Sequence, residues 1–300
     1  MRIVNTYVVK IDLALSAKLE ADLLNQGFEL SRPLHTVFQA KKKGVSCTLY
    51  TSGKLTVQGK DKGEFIEFYL EPLIGDFSYT HPTATADTHP HIGIDEAGKG
   101  DFFGPLVIAG VYADEAGIKK LIELGVQDSK RINDKIIDKL APLIIKDFSH
   151  SIVRLNPKKY NELYQSFGNL NRLLAWGHAT AIEELHKRTG CKNVLIDQFA
   201  SESVVETALQ RKKIDITLVQ RHKGEEDPVV AAASILARHG FVHGIDQLGQ
   251  QIGFDLPKGA SALVIKAGRR LVQAKGPEIL GDVAKLHFKT KQEILQQTLC

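Results

Sequence analysis

An apolar run that ends in two adjacent acidic residues constrains this chain more than any other sequence feature. Residues 91–94 are typical of a short buried strand, and Asp95 and Glu96 follow it, ahead of a segment with glycines and a lysine that reaches Asp101. A second apolar run, residues 106–112, leads away. Carboxylates at a strand end suit a hard divalent cation, because Mg²⁺ takes oxygen ligands. Glycines let a backbone approach a ligand closely, so the combination indicates phosphate chemistry.

Two other interpretations of this segment have to be weighed. One is an ordinary β-hairpin whose turn happens to be polar. The other is a nucleotide-binding P-loop, because Gly93, Gly98 and Lys99 have the required spacing. Gly100 occupies the position where a P-loop needs Ser or Thr as a metal ligand. The two acids would also lie inside the phosphate cradle and repel a triphosphate, so the P-loop interpretation is poor.

The segment resembles a known family. Residues 95–107 read Asp-Glu-Ala-Gly-Lys-Gly-Asp-Phe-Phe-Gly-Pro-Leu-Val, which is similar to the first motif of the type 2 ribonucleases H. Lys99 and the Gly-Asp-aromatic-Phe-Gly-Pro continuation resemble the ribonuclease HIII branch, whereas ribonuclease HII usually has Arg at the lysine position.

A second strand also ends in a carboxylate. Residues 193–197 form another buried-type run, and Asp197 closes it as Asp95 closes the first. Two parallel strands that each end in an acid place both acids at one edge of a sheet, where open α/β sheets bind ligands. Asp197-Gln198-Phe199 also resembles the central motif of ribonuclease HIII.

Two further stretches resemble the family. Asp128-Ser129-Lys130 precedes a predicted helix and is either a helix cap or a phosphate contact made by a hydroxyl, backbone amides and an ammonium group. The run from Ala232 to Arg238 matches the family, whose fourth acid follows a Lys-Gly or Lys-Ala pair shortly upstream. This resemblance implies Glu225, while the adjacent Glu226 and Asp227 remain rivals. Trp176 and His178, within a predicted long helix, are interpreted as structural.

Charge and composition favour a nucleic-acid partner. The chain has 300 residues and a net charge of +4, with 43% hydrophobic and 25% charged residues. Residues 36–63 hold six lysines against one acid, and residues 256–291 hold eight Lys and Arg against two acids. Such clusters suit a phosphate backbone. Three scattered cysteines, no signal-peptide core and no long apolar run lead us to expect a cytoplasmic protein without a membrane partner.

We expect two domains. Residues 1–80 read as strand, helix, three-stranded meander and helix, and the resemblance implies a TATA-binding-protein-like α+β domain that holds substrate. Residues 81–90, with prolines and histidines, read as a linker. His81, His89 and the adjoining His91 could suggest a metal site, but we interpret them as incidental. Residues 91–300 are expected to form a ribonuclease H-like α/β domain with a mixed sheet flanked by helices.

The resemblance implies an endonuclease that hydrolyses the RNA strand of RNA–DNA hybrids and leaves 5′-phosphate and 3′-hydroxyl ends. It implies one or two Mg²⁺ or Mn²⁺ ions and no nucleotide cofactor, and we expect a monomer. The alternatives are ribonuclease HII-like excision of single ribonucleotides embedded in DNA and an inert hybrid-binding module. The implied catalytic and metal-binding residues are Asp95, Glu96, Asp197 and Glu225. The implied substrate-binding residues are Gly98, Lys99, Gly100, Ser129 and Lys130.

Overall fold

The chain divides into two compact units, residues 1–86 and 87–300. The computed structural model describes residues 6–77, 79–80, 87–197, 202–221 and 224–296, without the side chains at positions 202, 203, 221 and 225. Each unit is built around its own sheet.

The first unit is a five-stranded antiparallel sheet packed against helices. Its strands pair in the order β1-β5-β4-β3-β2 and are β1 (Thr6–Lys10), β2 (Glu29–Ser31), β3 (Thr36–Lys42), β4 (Val45–Tyr50) and β5 (Lys54–Gln58). Its helices are α1 (Ser16–Asn25), α2 (Lys62–Phe65) and α3 (Glu71–Ile74), the last two joined by a π-helical turn, Ile66–Leu70. Leu19 and Leu23 of α1 and Ile66 and Leu70 of the turn are buried in its core. Strand β2 was not predicted, because it is three residues long with one apolar side chain.

The second unit has a mixed sheet in the order β10-β9-β6-β7-β8. Strand β9 runs parallel to both β10 and β6, while β6–β7 and β7–β8 are antiparallel. Its strands are β6 (His91–Ala97), β7 (Leu106–Ala113), β8 (Ser149–Leu155), β9 (Asn193–Asp197) and β10 (Thr217–Arg221). The predicted mixed sheet is therefore present. The hairpin β6–β7 also excludes the P-loop, in which a helix follows the glycine segment.

Helices cover this sheet. They are α4 (Glu115–Glu123), α5 (Asp134–Asp147), α6 (Pro157–Phe167), α7 (Leu170–Thr189), α8 (Glu202–Arg211), α9 (Pro228–Ile252), α10 (Ala262–Lys275), α11 (Leu280–Val283) and α12 (Thr290–Gln296). Among the described residues, none of the helices combines the length and the apolar character that a membrane span requires.

The two faces of the sheet pack against different helices. Successive side chains of a strand point to opposite faces. Ile92 and Ile94 of β6 share a core with α7. Val107 and Ala109 of β7 share the opposite core with α9. Gly93 lies on the α9 side, where an added Cβ would lie 2.4 Å from the backbone nitrogen of Val230.

A buried histidine–aspartate pair joins the start of β6 to the start of α9. Asp227 is the N-cap of α9 and accepts hydrogen bonds from the backbone N–H groups of Val229 and Val230 at 2.8 and 3.1 Å. The same Oδ1 lies 3.0 Å from Nε2 of His91. Burial disfavours the His91 imidazolium, but the bond to Asp227 outweighs this and raises the pKa of His91. We interpreted His91 as incidental rather than metal-binding, and this interpretation did not anticipate its structural contact with Asp227.

Loss of this cap should destabilise the second unit. We expect Asp227→Ala to lower the free energy of unfolding by about 2–4 kcal/mol, because it removes an N-cap and leaves buried donors without an acceptor. Asp227→Asn keeps an acceptor oxygen and should cost less than half as much. Trp176, the sole tryptophan, lies in this unit, so its fluorescence during urea unfolding reports on it.

Asp114 provides the matched control. It caps α4 by accepting from the Gly117 N–H at 2.8 Å and is exposed. Its replacement by alanine should cost about 1 kcal/mol. Equal losses for Asp227→Ala and Asp114→Ala would contradict a special role for the buried pair.

Candidate active site

The parallel pairing of β6 with β9 brings two of the predicted acids to one sheet edge. Its last pair is Ile94 with Ile196, and both side chains lie in the core beneath α7. Asp95 and Asp197 each follow by one residue, so alternation places both on the opposite face, at the ends of adjacent strands. Asp197 also pairs with Arg221 of β10. The carboxyl end of this sheet therefore gathers acids that are 102 positions apart in sequence.

Asp95 and Glu96 diverge to the two faces of the sheet and differ in electrostatics. Asp95 is 6% exposed, and burial together with the negative charge of Glu96 raises its pKa well above the ordinary value for aspartate. Burial alone would raise the pKa of Glu96 as well. Its hydrogen bonds and charge interactions with His178 and Lys99 reverse this and lower that pKa to about 2. One acid therefore ionises readily and its neighbour does so reluctantly.

His178 of α7 holds Glu96 from beneath the sheet. Its Nε2 lies 3.1 Å from Oε2 of Glu96, and Nζ of Lys99 donates to Oε1 at 3.1 Å. Our interpretation of His178 as merely structural missed this contact. The sequence contained a sign of it, because His178 lies in the apolar helical stripe with Leu174 and Ile182, where a polar side chain needs a partner.

Gly224 rests directly on the backbone of Asp197. Its N–H donates to Oδ1 of Asp197 at 3.0 Å, and an added Cβ would lie 2.8 Å from the Cα of that residue. Only glycine allows so close an approach. Glu225 follows immediately, in the 3₁₀ turn Gly224–Glu226, although its side chain lies outside the described residues. Gln198 and Phe199 of the central motif also lie outside them.

The two rivals of Glu225 have other partners. Glu226 is about half exposed, with Oε1 3.8 Å from Nη2 of Arg131. Asp227 is the buried cap of α9 described above. These contacts give Glu226 a surface ion pair and Asp227 a structural role.

The Asp128-Ser129-Lys130 segment borders Asp95. The charge of Lys130 lowers the pKa of Asp95 and that of Asp128 raises it, in each case less than burial does. The backbone N–H of Ser129 already donates to Oγ of Ser234 on α9 at 2.9 Å. The Ser129 hydroxyl and the Lys130 ammonium group are therefore the chemistry this segment offers to a phosphate.

A buried lysine fixes the loop that links β6 to β7. Nζ of Lys285 donates to the carbonyl oxygens of Asp101 and Gly104 at 2.8 and 2.7 Å. Burial lowers the pKa of Lys285 to about 7.

Two glycines of the same loop have different surroundings. At the start of the loop, Gly98 has φ +87°, and an added Cβ would lie 2.2 Å from the carbonyl oxygen of Pro105. Gly100 faces open space, with nothing within 4 Å of an added Cβ.

The first unit contains a shallow basic groove, open to solvent, of about 450 Å³. We call it the lysine groove, and it is lined by Lys41, Lys42, Gly44, Val45, Ser46, Gln58, Gly59 and Lys60. Lys42 donates to the Gln26 carbonyl at 2.8 Å and lies over the Phe28 ring. Lys41 and Lys60 are exposed on the rim.

Both units resemble known protein families or structures. The sequence profile of ribonuclease HII matches residues 92–291, and that of a domain of unknown function, DUF3378, matches residues 6–76. The crystal structure of Bst-RNase HIII in complex with Mn²⁺ is similar, with a TM-score of 0.69, 31% identity and coverage of 97% of this chain and 98% of that one. RNase H3 from Aquifex aeolicus has a TM-score of 0.57 at 25% identity, over 94% of this chain and all of that one.

Curated relatives match over nearly the whole length. Ribonuclease HIII of Protochlamydia amoebophila is 54% identical over 290 residues, or 96% of each chain. Ribonuclease HIII of Chlamydia abortus is 50% identical over 295 residues, or 97% of this chain and 98% of the relative. With this identity over both units, and with Asp95, Glu96 and Asp197 at one end of a ribonuclease H-like sheet, the chain belongs to the ribonuclease HIII family.

Proposed function

We propose that this chain is an endonuclease that hydrolyses the RNA strand of RNA–DNA hybrids with the help of a divalent metal ion, leaving 5′-phosphate and 3′-hydroxyl ends. The observation that carries the proposal is the arrival of Asp95 and Asp197 on the same face at the ends of adjacent parallel strands, with Glu96 at the same strand end on the other face. Membership of the ribonuclease HIII family supports the choice of substrate.

The donor set fits a hard cation. The ligands that we propose, Asp95, Glu96, Asp197 and Glu225, offer only carboxylate oxygen, which Mg²⁺ and Mn²⁺ prefer. The raised pKa of Asp95 indicates that its negative charge lacks compensation, which a cation would supply. A divalent ion held by these residues would supply Lewis-acid chemistry and would lower the pKa of a water molecule at the site. Bst-RNase HIII was crystallised with Mn²⁺.

The protein's own side chains would orient the site and the substrate. His178 and Lys99 each engage one oxygen of Glu96, which keeps that carboxylate charged and fixed while lone pairs remain for other partners. We assign Lys99, Lys130 and the Ser129 hydroxyl to the phosphate next to the scissile bond. Backbone amides at Gly98 and Gly100 would contact that phosphate and the 2′-hydroxyl, the group that distinguishes RNA from DNA.

We further propose that the enzyme works in the cytoplasm as a monomer and without a nucleotide cofactor. Cys47 and Cys191 are free thiols, and burial raises the pKa of Cys47 to about 12, which suits a reducing compartment. The strand that follows the glycine segment supports the absence of P-loop chemistry.

The first unit is proposed to bind the hybrid through the lysine groove. Lys41 near the end of β3 and Lys60 just after β5 both line this groove. Their ammonium groups would contact phosphates, which contribute affinity without reading sequence.

Cleavage of a labelled hybrid tests the proposed activity. The full chain should cut the RNA strand with Mg²⁺ or Mn²⁺ and should be inactive in EDTA. Asp197→Asn should lower the rate at least roughly a hundredfold, the loss expected when one preorganised electrostatic group is removed. Hybrid affinity in EDTA should stay within about twofold of the unmodified protein, since phosphate contacts dominate binding.

Two results would redirect this proposal. Binding without cleavage under either metal would identify a hybrid-binding module. Faster cleavage of a duplex with one embedded ribonucleotide than of a continuous hybrid would favour the ribonuclease HII-like alternative.

Charge-removing substitutions of nearly equal size can identify the fourth acid. We expect Glu225→Gln to lower cleavage at least roughly a hundredfold, as for Asp197. Glu226→Gln should change it by less than about fivefold, because a half-exposed ion pair contributes at most about 1 kcal/mol. Rates under single-turnover conditions at saturating metal provide the measurement.

Glu202 is the necessary comparison. It is the first residue of α8 and lies five positions after Asp197, so it is also close in sequence to this sheet edge. If Glu225→Gln retains full activity and Glu202→Gln is inactive, the fourth catalytic acid is Glu202 and not Glu225.

Salt dependence tests the lysine groove. The double variant Lys41→Ala and Lys60→Ala should weaken hybrid binding by the full chain in EDTA. It should also reduce the slope of log affinity against log salt by about two, roughly one for each lost phosphate contact. Lys54→Ala removes the same charge at the opposite end of β5 and serves as the control. An equal slope in the double variant and the unmodified protein would show that the groove does not contact the hybrid.

A further inference from the structure

Two histidines and an aspartate, none of them among the proposed catalytic acids, form a compact cluster. His239 and His243 are four residues apart on α9, so they share one helix face. Asp138 projects from α5, which packs beside α9. The ligand atoms that the three residues can offer all lie within 4.8 Å of one another.

The spacing of these atoms matches a metal polyhedron. Oδ1 of Asp138 lies 3.2 Å from Nε2 of His243 and 3.8 Å from Nε2 of His239. Bonds of about 2.0–2.1 Å in tetrahedral geometry put neighbouring zinc ligands about 3.3 Å apart. The two distances bracket this value, so one ion can be held by small side-chain adjustments.

The surroundings leave the cluster available to an ion. Asp134, one turn before Asp138, is engaged by Arg238 at 3.3 Å and by Lys258 at 2.5 Å, so these cations are directed to a different carboxylate. Exposure of Asp138 and His243 leaves an entry path and room for water ligands.

We propose that Asp138, His239 and His243 form a second metal site, which takes Zn²⁺ or a similar transition-metal ion and joins α5 to α9. Two imidazoles and one carboxylate suit zinc, cobalt, nickel or copper, whereas the carboxylate edge suits magnesium and manganese. Water completes the coordination. The ion stabilises the second unit by mass action, because the unfolded chain does not preassemble the three ligands.

Zinc titration of the metal-stripped full chain tests the site. The titration is performed by calorimetry at neutral pH in excess Mg²⁺, which occupies the carboxylate edge. The unmodified protein should bind one more Zn²⁺ per chain than the double variant His239→Gln and His243→Gln. Asp138→Asn should weaken that extra binding roughly tenfold or more, because loss of a ligand costs at least as much as loss of a supporting hydrogen bond. Zinc should raise the melting temperature of the unmodified protein and not that of the double variant.

Two controls separate this site from other zinc binding. His150→Gln makes the same chemical change on β8, where Nδ1 of His150 lies 3.0 Å from the carbonyl oxygen of Phe148, and should bind zinc like the unmodified protein. Cysteines are the same in every variant, so their contribution cancels. Cobalt in place of zinc should give visible d–d absorption that the double variant lacks. Equal zinc stoichiometry in the unmodified protein and the double variant, or no binding by the unmodified protein, would overturn the proposal.

Discussion

Parallel hydrogen bonding between β6 and β9 determines where the acids of this chain meet. Both strands enter the site from the same direction, so their carboxyl ends coincide, and the register of Ile94 with Ile196 puts the next residue of each strand on one face. A slip of one residue would turn Asp197 to the other face of the sheet. The apolar residues that precede each acid therefore set the position of the carboxylates as well as the core, because their burial fixes the register.

The helices on the two faces of the sheet give Asp95 and Glu96 different surroundings and therefore different pKa values. Glu96 reaches the face covered by α7 and finds His178, whereas Asp95 reaches the face covered by α9, near Lys130. Adjacent residues in a strand thus acquire opposite pKa shifts from different environments. The His91–Asp227 pair helps to position α9 over the face that Asp95 reaches, because it joins the start of α9 to the start of β6.

The sequence was most informative where apolar and polar residues follow the regular spacing of a strand or helix. Alternation and strand ends predicted Asp95 and Asp197 at one edge, and the resemblance placed Lys99 beside them. Helical periodicity alone did not reveal the partner of His178, because that contact depends on how α7 crosses the sheet. The resemblance implied Glu225 as the fourth acid, but residue type alone does not separate it from Glu226 and Asp227. The partners of these two rivals, Arg131 and the backbone at the start of α9, become visible only in the structure. Strand β2 was not predicted, because three residues are too few to show the alternation of apolar and polar side chains that indicates a strand.

Lys285 has a consequence for how the protein is made. The ammonium group that fixes the carbonyl oxygens of Asp101 and Gly104 comes from a residue 184 positions after Asp101. During synthesis the hairpin β6–β7 leaves the ribosome long before this lysine is incorporated. The loop between β6 and β7 is therefore held in its final geometry only after residue 285 has left the ribosome, so a nascent chain that already carries the proposed acids still lacks the contact that fixes this loop.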